Sequence, residues 1–195
     1  MYYVLGKSYA KHPSRHTDLG SYPRVKGVWW TDGTTLSTPC LTSISIKLKP
    51  YDERVSDMGG DLSSLYLTKI PLFKKELVEA LHEIGVANFN VYDAELLDVD
   101  NGKKYNTHVA VNIIGVVSAA DMSKSVYNVP GNTPVIDVEF DKLVIDDRLA
   151  KGMLMFRLAE NTNTILVHES VKDYLEKTKG FTDIEFYLPE DVALG

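Results

Sequence analysis

Two apolar, β-branched stretches on either side of a turn constrain this chain more than any other feature. Phe89, Val91, Leu97 and Val99 mark the first stretch, and the run Val-Ala-Val-Asn-Ile-Ile-Gly-Val at positions 109–116 lies in the second. Asp100-Asn101-Gly102 stands between them, and Asn-Gly supplies the positive φ that a tight hairpin turn needs. The pattern predicts a long central β-hairpin over residues 88–117. A strand pair of that length fixes the chain as sheet-built.

The remaining pattern is strand-rich with two helices. Residues 2–5 read as an opening strand, residues 25–30 and 41–48 as two more, with Ile44, Ile46 and Leu48 sharing one face. Residues 6–23 and 50–64 are irregular. Leu77, Leu81 and Ile84 recur at helical spacing, with Pro71 suited to a first turn and Gly85 to a stop. Residues 170–179 form the second helix, with Val171 and Leu175 inward and Gly180 behind them. A short helix is expected over 119–127. Short strands are expected over 135–140, 142–145, 154–158 and 184–188. At an offset of 94, Leu72, Phe73, Leu77 and Leu81 fall on Leu166, Val167, Val171 and Leu175. One inserted residue later, Gly85, Phe89, Val91 and Tyr92 fall on Gly180, Ile184, Phe186 and Tyr187. The expected fold is therefore α+β: mostly antiparallel strands, two strand-helix-strand units and the long central hairpin. An N-terminal strand and loop segment (1–64) packs on an α+β domain (65–195) with approximate repeats at 65–99 and 154–188.

Composition narrows the function. With 44% hydrophobic and 25% charged residues the chain can build a core. A single cysteine, Cys40, makes no internal disulfide, which points to a reducing, cytoplasmic setting. The first ten residues lack the pattern of a signal peptide, and the apolar run at 109–120 falls short of the ~20 residues of a membrane helix. Net charge is −6. Residues 1–26 hold Lys7, Lys11, Arg15, Arg24 and Lys26 against Asp18, a balance of +4 that leaves −10 on the rest. Such a body repels nucleic acid and attracts a basic protein.

Motifs for chemistry are sparse. Gly6-Lys7-Ser8 lacks the earlier glycine of a phosphate loop. His12 and His16 have metal-like spacing in a loop but no third ligand. Asp98, Asp100 and Gly102 open like a calcium loop, but Lys103 and Lys104 follow. Cys40 has no local activating context for a nucleophile. No metal or cofactor is expected, and binding is favoured over catalysis.

Pro71-Leu72-Phe73 through Leu81 and Gly85, the run at 109–116 with Ala119-Ala120-Asp121, and the late block Met155-Phe156-Arg157-Leu158, Ile165-Leu166-Val167 and Glu169-Ser170-Val171 form a set of apolar strand and helix signatures. Together they resemble the Imm11 family of predicted immunity proteins, encoded beside polymorphic toxins of bacteria. The likeness spans roughly residues 65–188. It implies a non-enzymatic α+β protein that binds a cognate toxin domain and blocks it; the acidic charge balance makes that domain a basic one, and neither a nucleic acid nor a membrane is expected as a partner. Arg157 fits a family-like Phe-Arg-Leu strand, where an ion pair is its expected role.

An acidic inhibitor can occupy the basic cleft of a nuclease toxin. The candidate toxin-binding residues are Asp93, Glu95, Asp98 and Asp100 towards the hairpin tip, Asp146 and Asp147 later, and one ring of Trp29-Trp30. Neighbours on a strand point to opposite faces, so one tryptophan is expected in the core and the other outside. Two rival readings are a small hydrolase or nucleotide-binding enzyme, marked by polar groups converging in a deep pocket, and a self-assembling adaptor.

Overall fold

The computed structural model describes residues 1–24, 28–36, 44–131 and 137–194. In chain order the elements are β1 (Tyr2–Lys7), β2 (Ile44–Lys47), β3 (Leu65–Tyr66), β4 (Leu72–Lys74), α1 (Lys75–Glu83), β5 (Phe89–Leu97), β6 (Lys104–Tyr105) and β7 (His108–Ile113). They continue with β8 (Val116–Val117), β9 (Val126–Asn128), β10 (Glu139–Lys142), β11 (Met155–Leu158), β12 (Ile165–His168), α2 (Glu169–Lys177) and β13 (Ile184–Tyr187). The fold is α+β.

Two sheets carry it. One runs β2-β5-β7-β4-β3, with β6 also on β5, and the other runs β13-β1-β12-β11-β8. Only β2–β5 and β11–β8 are parallel among the described pairs. The strand-helix-strand units have the same layout, with α1 and α2 offset by 94 residues at both ends. In each unit the flanking strands do not touch: β7 lies between β4 and β5, and β1 lies between β12 and β13, each antiparallel to both neighbours. The N-terminal strand thus sits inside the second sheet.

Alternation decides which residues meet. Phe73, Val109, Val111 and Ile113 of the first sheet join Leu5, Met155, Ile165 and Val167 of the second, with Leu77, Leu81, Val171 and Leu175 of the helices, in one common core. The residues of opposite parity serve two outer cores. Ile44, Ile46, Leu72, Leu96 and Ala110 lie under Tyr22 and Trp30, while Tyr2, Val4, Phe156 and Leu166 lie under Ala119, Phe140 and Leu143. The inner strands β4, β7, β11 and β12 are therefore covered on both faces.

Several local expectations are corrected. The second arm of the hairpin stops at Ile113, and β8 crosses to the other sheet to pair with β11. Gly115, at φ 108°, makes the corner. Asn88 fastens it by donating from Nδ2 to the carbonyls of Ile114 (2.7 Å) and Met155 (2.8 Å). Pro71 precedes β4 rather than entering α1, and residues 119–127 form turns and part of β9 instead of a helix. Residues 28–30 are not a strand. Cys40, with residues 25–27, 41–43 and 132–136, lies outside the described residues.

One close backbone approach requires glycine. A Cβ on Gly59 would lie 2.3 Å from the carbonyl oxygen of Pro13 and 2.6 Å from its carbon. Backbone cannot swing aside, so the loop that carries Arg15 would have to move. Gly59→Ala is expected to cost about 1–3 kcal/mol of stability, the range for forced overpacking. Urea midpoints check this, and an unchanged midpoint would mean that the two loops separate freely.

Candidate functional site

The carboxylates nominated from the sequence are, for the most part, already engaged. Asp98 is only 2% exposed. Its two oxygens accept from Arg15 Nη1 and Nη2, both at 3.1 Å, and also from Asp100 N and Asn101 Nδ2. Burial pushes the Asp98 carboxyl up, but the Asp100 amide and the Arg15 guanidinium outweigh it and hold the pKa below its ordinary value. Arg15 reaches Asp100 at 2.9 Å as well, and Asp100 also accepts from Tyr51 N. The turn is a six-residue loop closed by Asp98 N donating to Lys103 O, wider than the tight Asn-Gly turn expected. Asp98 holds this loop to residue 15 and does not face outward, so its expected place on a docking surface is corrected.

The other acids divide. Glu95 pairs with Lys104 at 3.1 Å, Asp146 takes a two-pronged bond from Arg148, and Asp147 pairs with the N-terminal amine at 3.1 Å. Asp93 is exposed and makes no ion pair among the described residues. Asp93 through Asp100 belong to the first sheet and its loop, whereas Asp146 and Asp147 lie in the segment covering the second sheet, so the fold does not merge the two groups.

The basic N-terminal segment explains much of this pairing. Besides Arg15, Lys11 meets Glu185 at 2.9 Å, and the buried Lys7 approaches Asp183 at 3.9 Å. Lys7 also donates to Ser14, a contact of nucleophile–base type that sequence reasoning missed because the partners lie on separate loops. Burial lowers the Lys7 pKa to about 8. Both residues are buried and neither lines either cleft described below, so the pair reads as a tether. Asp183 completes it, accepting from Ser63 Oγ (2.8 Å) and Ser64 N (2.7 Å).

The tryptophans separate. Trp30 is 7% exposed and packs edge-on against Tyr92, with ring centroids 5.5 Å apart. Trp29 is 68% exposed. A cleft of about 730 Å³ lies beside them, lined by Trp29, Trp30, Tyr22, Arg24, Val28 and Ile70 among others. A second, of about 340 Å³, shares Leu19, Lys69 and Asn163 with the first. No group of three His, Cys, Asp or Glu side chains placed to hold a metal occurs among the described residues. No described helix is long and apolar enough to cross a membrane.

A family model for an immunity protein family, Imm11, matches residues 74–191, more than half of the chain. The chain belongs to the Imm11 immunity protein family. Its coarse role follows: an immunity protein, whose counterpart is a toxin. No curated protein matches the sequence. In this Imm11 protein the matched stretch begins at Lys74, the last residue of β4, yet the second sheet is not continuous without β1 from outside it. Trp29, Trp30 and the Arg15 tether lie outside the matched stretch too.

Proposed function

We propose that this Imm11 protein neutralises its cognate toxin by forming a stoichiometric complex that covers the toxin's active site, inside the cytoplasm of the cell that makes it. The toxin is a basic domain of an interbacterial polymorphic system, and a nuclease fits best. A nuclease needs cations to grip phosphate, and an acidic body attracts such a surface and speeds the encounter.

Trp29 carries the proposal. An indole 68% exposed beside a cleft of about 730 Å³ is an unspent anchor, and large aromatic anchors dominate protein interfaces. Trp30 holds the base of the loop against Tyr92, one residue before the exposed Asp93. The docking face therefore runs from Trp29 towards Asp93, with the partly exposed Asp100 at the loop. Asp147, more than half exposed, adds steering charge from the other layer.

Trp29→Ala is expected to weaken the complex by about 2 kcal/mol or more, roughly thirtyfold, with no change in fold. Calorimetric titration of the neighbouring gene's toxin domain reads this directly. Equal affinity of wild type and variant would move the interface elsewhere.

A further inference from the structure

Arg157 is buried to 2% exposure on β11, on the side of the strand that faces the common core. The ion pair expected for it is not there: no carboxylate lies within salt-bridge distance among the described residues. Its Nη1 donates to Thr162 O at 2.7 Å, while its Nε is buried without a partner among the described residues. A guanidinium left this way costs free energy, because a buried donor loses water and gains nothing in return. Arg157 also lines the smaller cleft of about 340 Å³, together with Lys69, Asn163, Leu67, Pro71 and Ile165.

We infer that this cleft is a binding site for a carboxylate, with Arg157 as its anchor. The planar guanidinium matches the two oxygens of a carboxylate, a geometry no ammonium offers. Leu67, Pro71 and Ile165 supply apolar walls for the carbon that bears it, and Lys69 and Asn163 are exposed at the same cleft. The charge balance favours a monoanion over phosphate: Arg157 and Lys69 contribute two positive charges, and the field of Asp32 offsets part of that on Arg157. Burial also draws the Arg157 pKa down to about 10, the mark of a cation short of counter-charge. The site does not depend on which toxin is bound. A free small carboxylate and an Asp or Glu side chain of a bound polypeptide share the required chemistry.

The test uses the full chain and follows the Arg157 Nε–H resonance by NMR during titration at constant ionic strength. One arm adds propionate, a second adds glutamate capped at both ends as a peptide, and chloride and inorganic phosphate are controls. A saturable shift in the propionate or capped-glutamate arm, with weaker or no response to the controls, is the expected result. Propionate alone assigns a free carboxylate, and saturation by capped glutamate assigns a polypeptide side chain. Asn163→Asp, at an exposed position where the fold should persist, is expected to weaken binding about tenfold by placing a competing carboxylate at the site. Lys69→Glu should act in the same direction. Arg157→Gln should abolish binding by calorimetry, and if it does not fold, the two surface variants still decide. No saturable shift with either carboxylate, or equal affinity in Asn163→Asp, overturns the assignment.

Discussion

Replacing Arg15 by methionine is expected to lower the unfolding free energy by about 3–5 kcal/mol, the cost of stranding one member of a buried ion pair. Asp98 would keep its backbone bond from Asp100 but lose both guanidinium contacts, in a place water does not reach. Loop closure suffers as well, because Arg15 Nη2 also donates to Lys49 O and Asp100. Lysine should rescue little, since one ammonium cannot serve four acceptor oxygens arranged around a planar fork. Urea unfolding at neutral pH measures the loss, and a change below about 1 kcal/mol would show that the pair contributes as little as a surface one. The same reasoning applies to reversing charge at Asp98. That variant reports on folding before it reports on docking.

The second large effect is a loss of stability in mild acid, centred on His108. This ring is fully buried on β7, its Nε2 2.8 Å from Ser63 O and its Nδ1 3.0 Å from Thr107 Oγ1. Those partners fit a neutral ring with the proton on Nε2 and the threonine hydroxyl donating to Nδ1. Burial, aided by the charge of Lys74, lowers its pKa from 6.5 to about 4, against the opposing pull of Ser63 O, Glu76 and Asp183. Between those two pH values the unfolded chain takes up a proton that the folded one refuses. Stability is therefore full above about pH 6.5 and falls by roughly 3 kcal/mol as pH drops to about 4. Asp98 and Asp183, both held below their ordinary values, add their own losses only at lower pH. His108→Gln should flatten the slope between pH 6.5 and 4 while keeping a donor for Ser63 O. An unchanged slope in that variant would assign the acid sensitivity elsewhere.

What could be read beforehand follows the range over which each signal acts. Alternation and helix periodicity are local, so β5, β7, α1 and α2 appear close to where residues 88–117, 77–84 and 170–179 placed them. Gly85 does end α1 at positive φ, whereas α2 already leaves the helix at the extended Thr178, and Gly180 takes its positive φ in the turn that follows. Sheet membership is not local. Nothing in the run at 109–116 announces that β8 leaves for the other sheet, or that β1 slots between β12 and β13. The same holds for the charges. Asp98 looks like any acid at a hairpin tip until Arg15, 83 residues away, is brought beside it, and Glu185 is claimed by Lys11 across 174 residues. The tryptophan pair divides as alternation suggests, though residues 28–30 are not a strand: the turn beginning at Trp30 and the Tyr92 ring divide them instead. Arg157 was visible as a basic residue in an apolar strand. Its lack of a counter-ion was not, because that requires knowing everything that packs around it.

Two layers of charge therefore have different tasks. Lys7, Lys11 and Arg15 neutralise acids of the body and lock the N-terminal segment to both sheets. In the proposed complex, what remains unpaired outside, led by Asp93, would be the field that a basic partner meets, and short-range affinity would fall to Trp29.

The most direct measurement is to mix the toxin domain encoded by the neighbouring gene with this protein and determine mass, stoichiometry and residual toxicity together. A saturable one-to-one complex, with toxicity lost in step with its formation and association slowed by salt, is the predicted result. Protection at ratios far below one protein per toxin, with no complex detected, would mean the chain consumes or modifies something, and the binding account would be wrong.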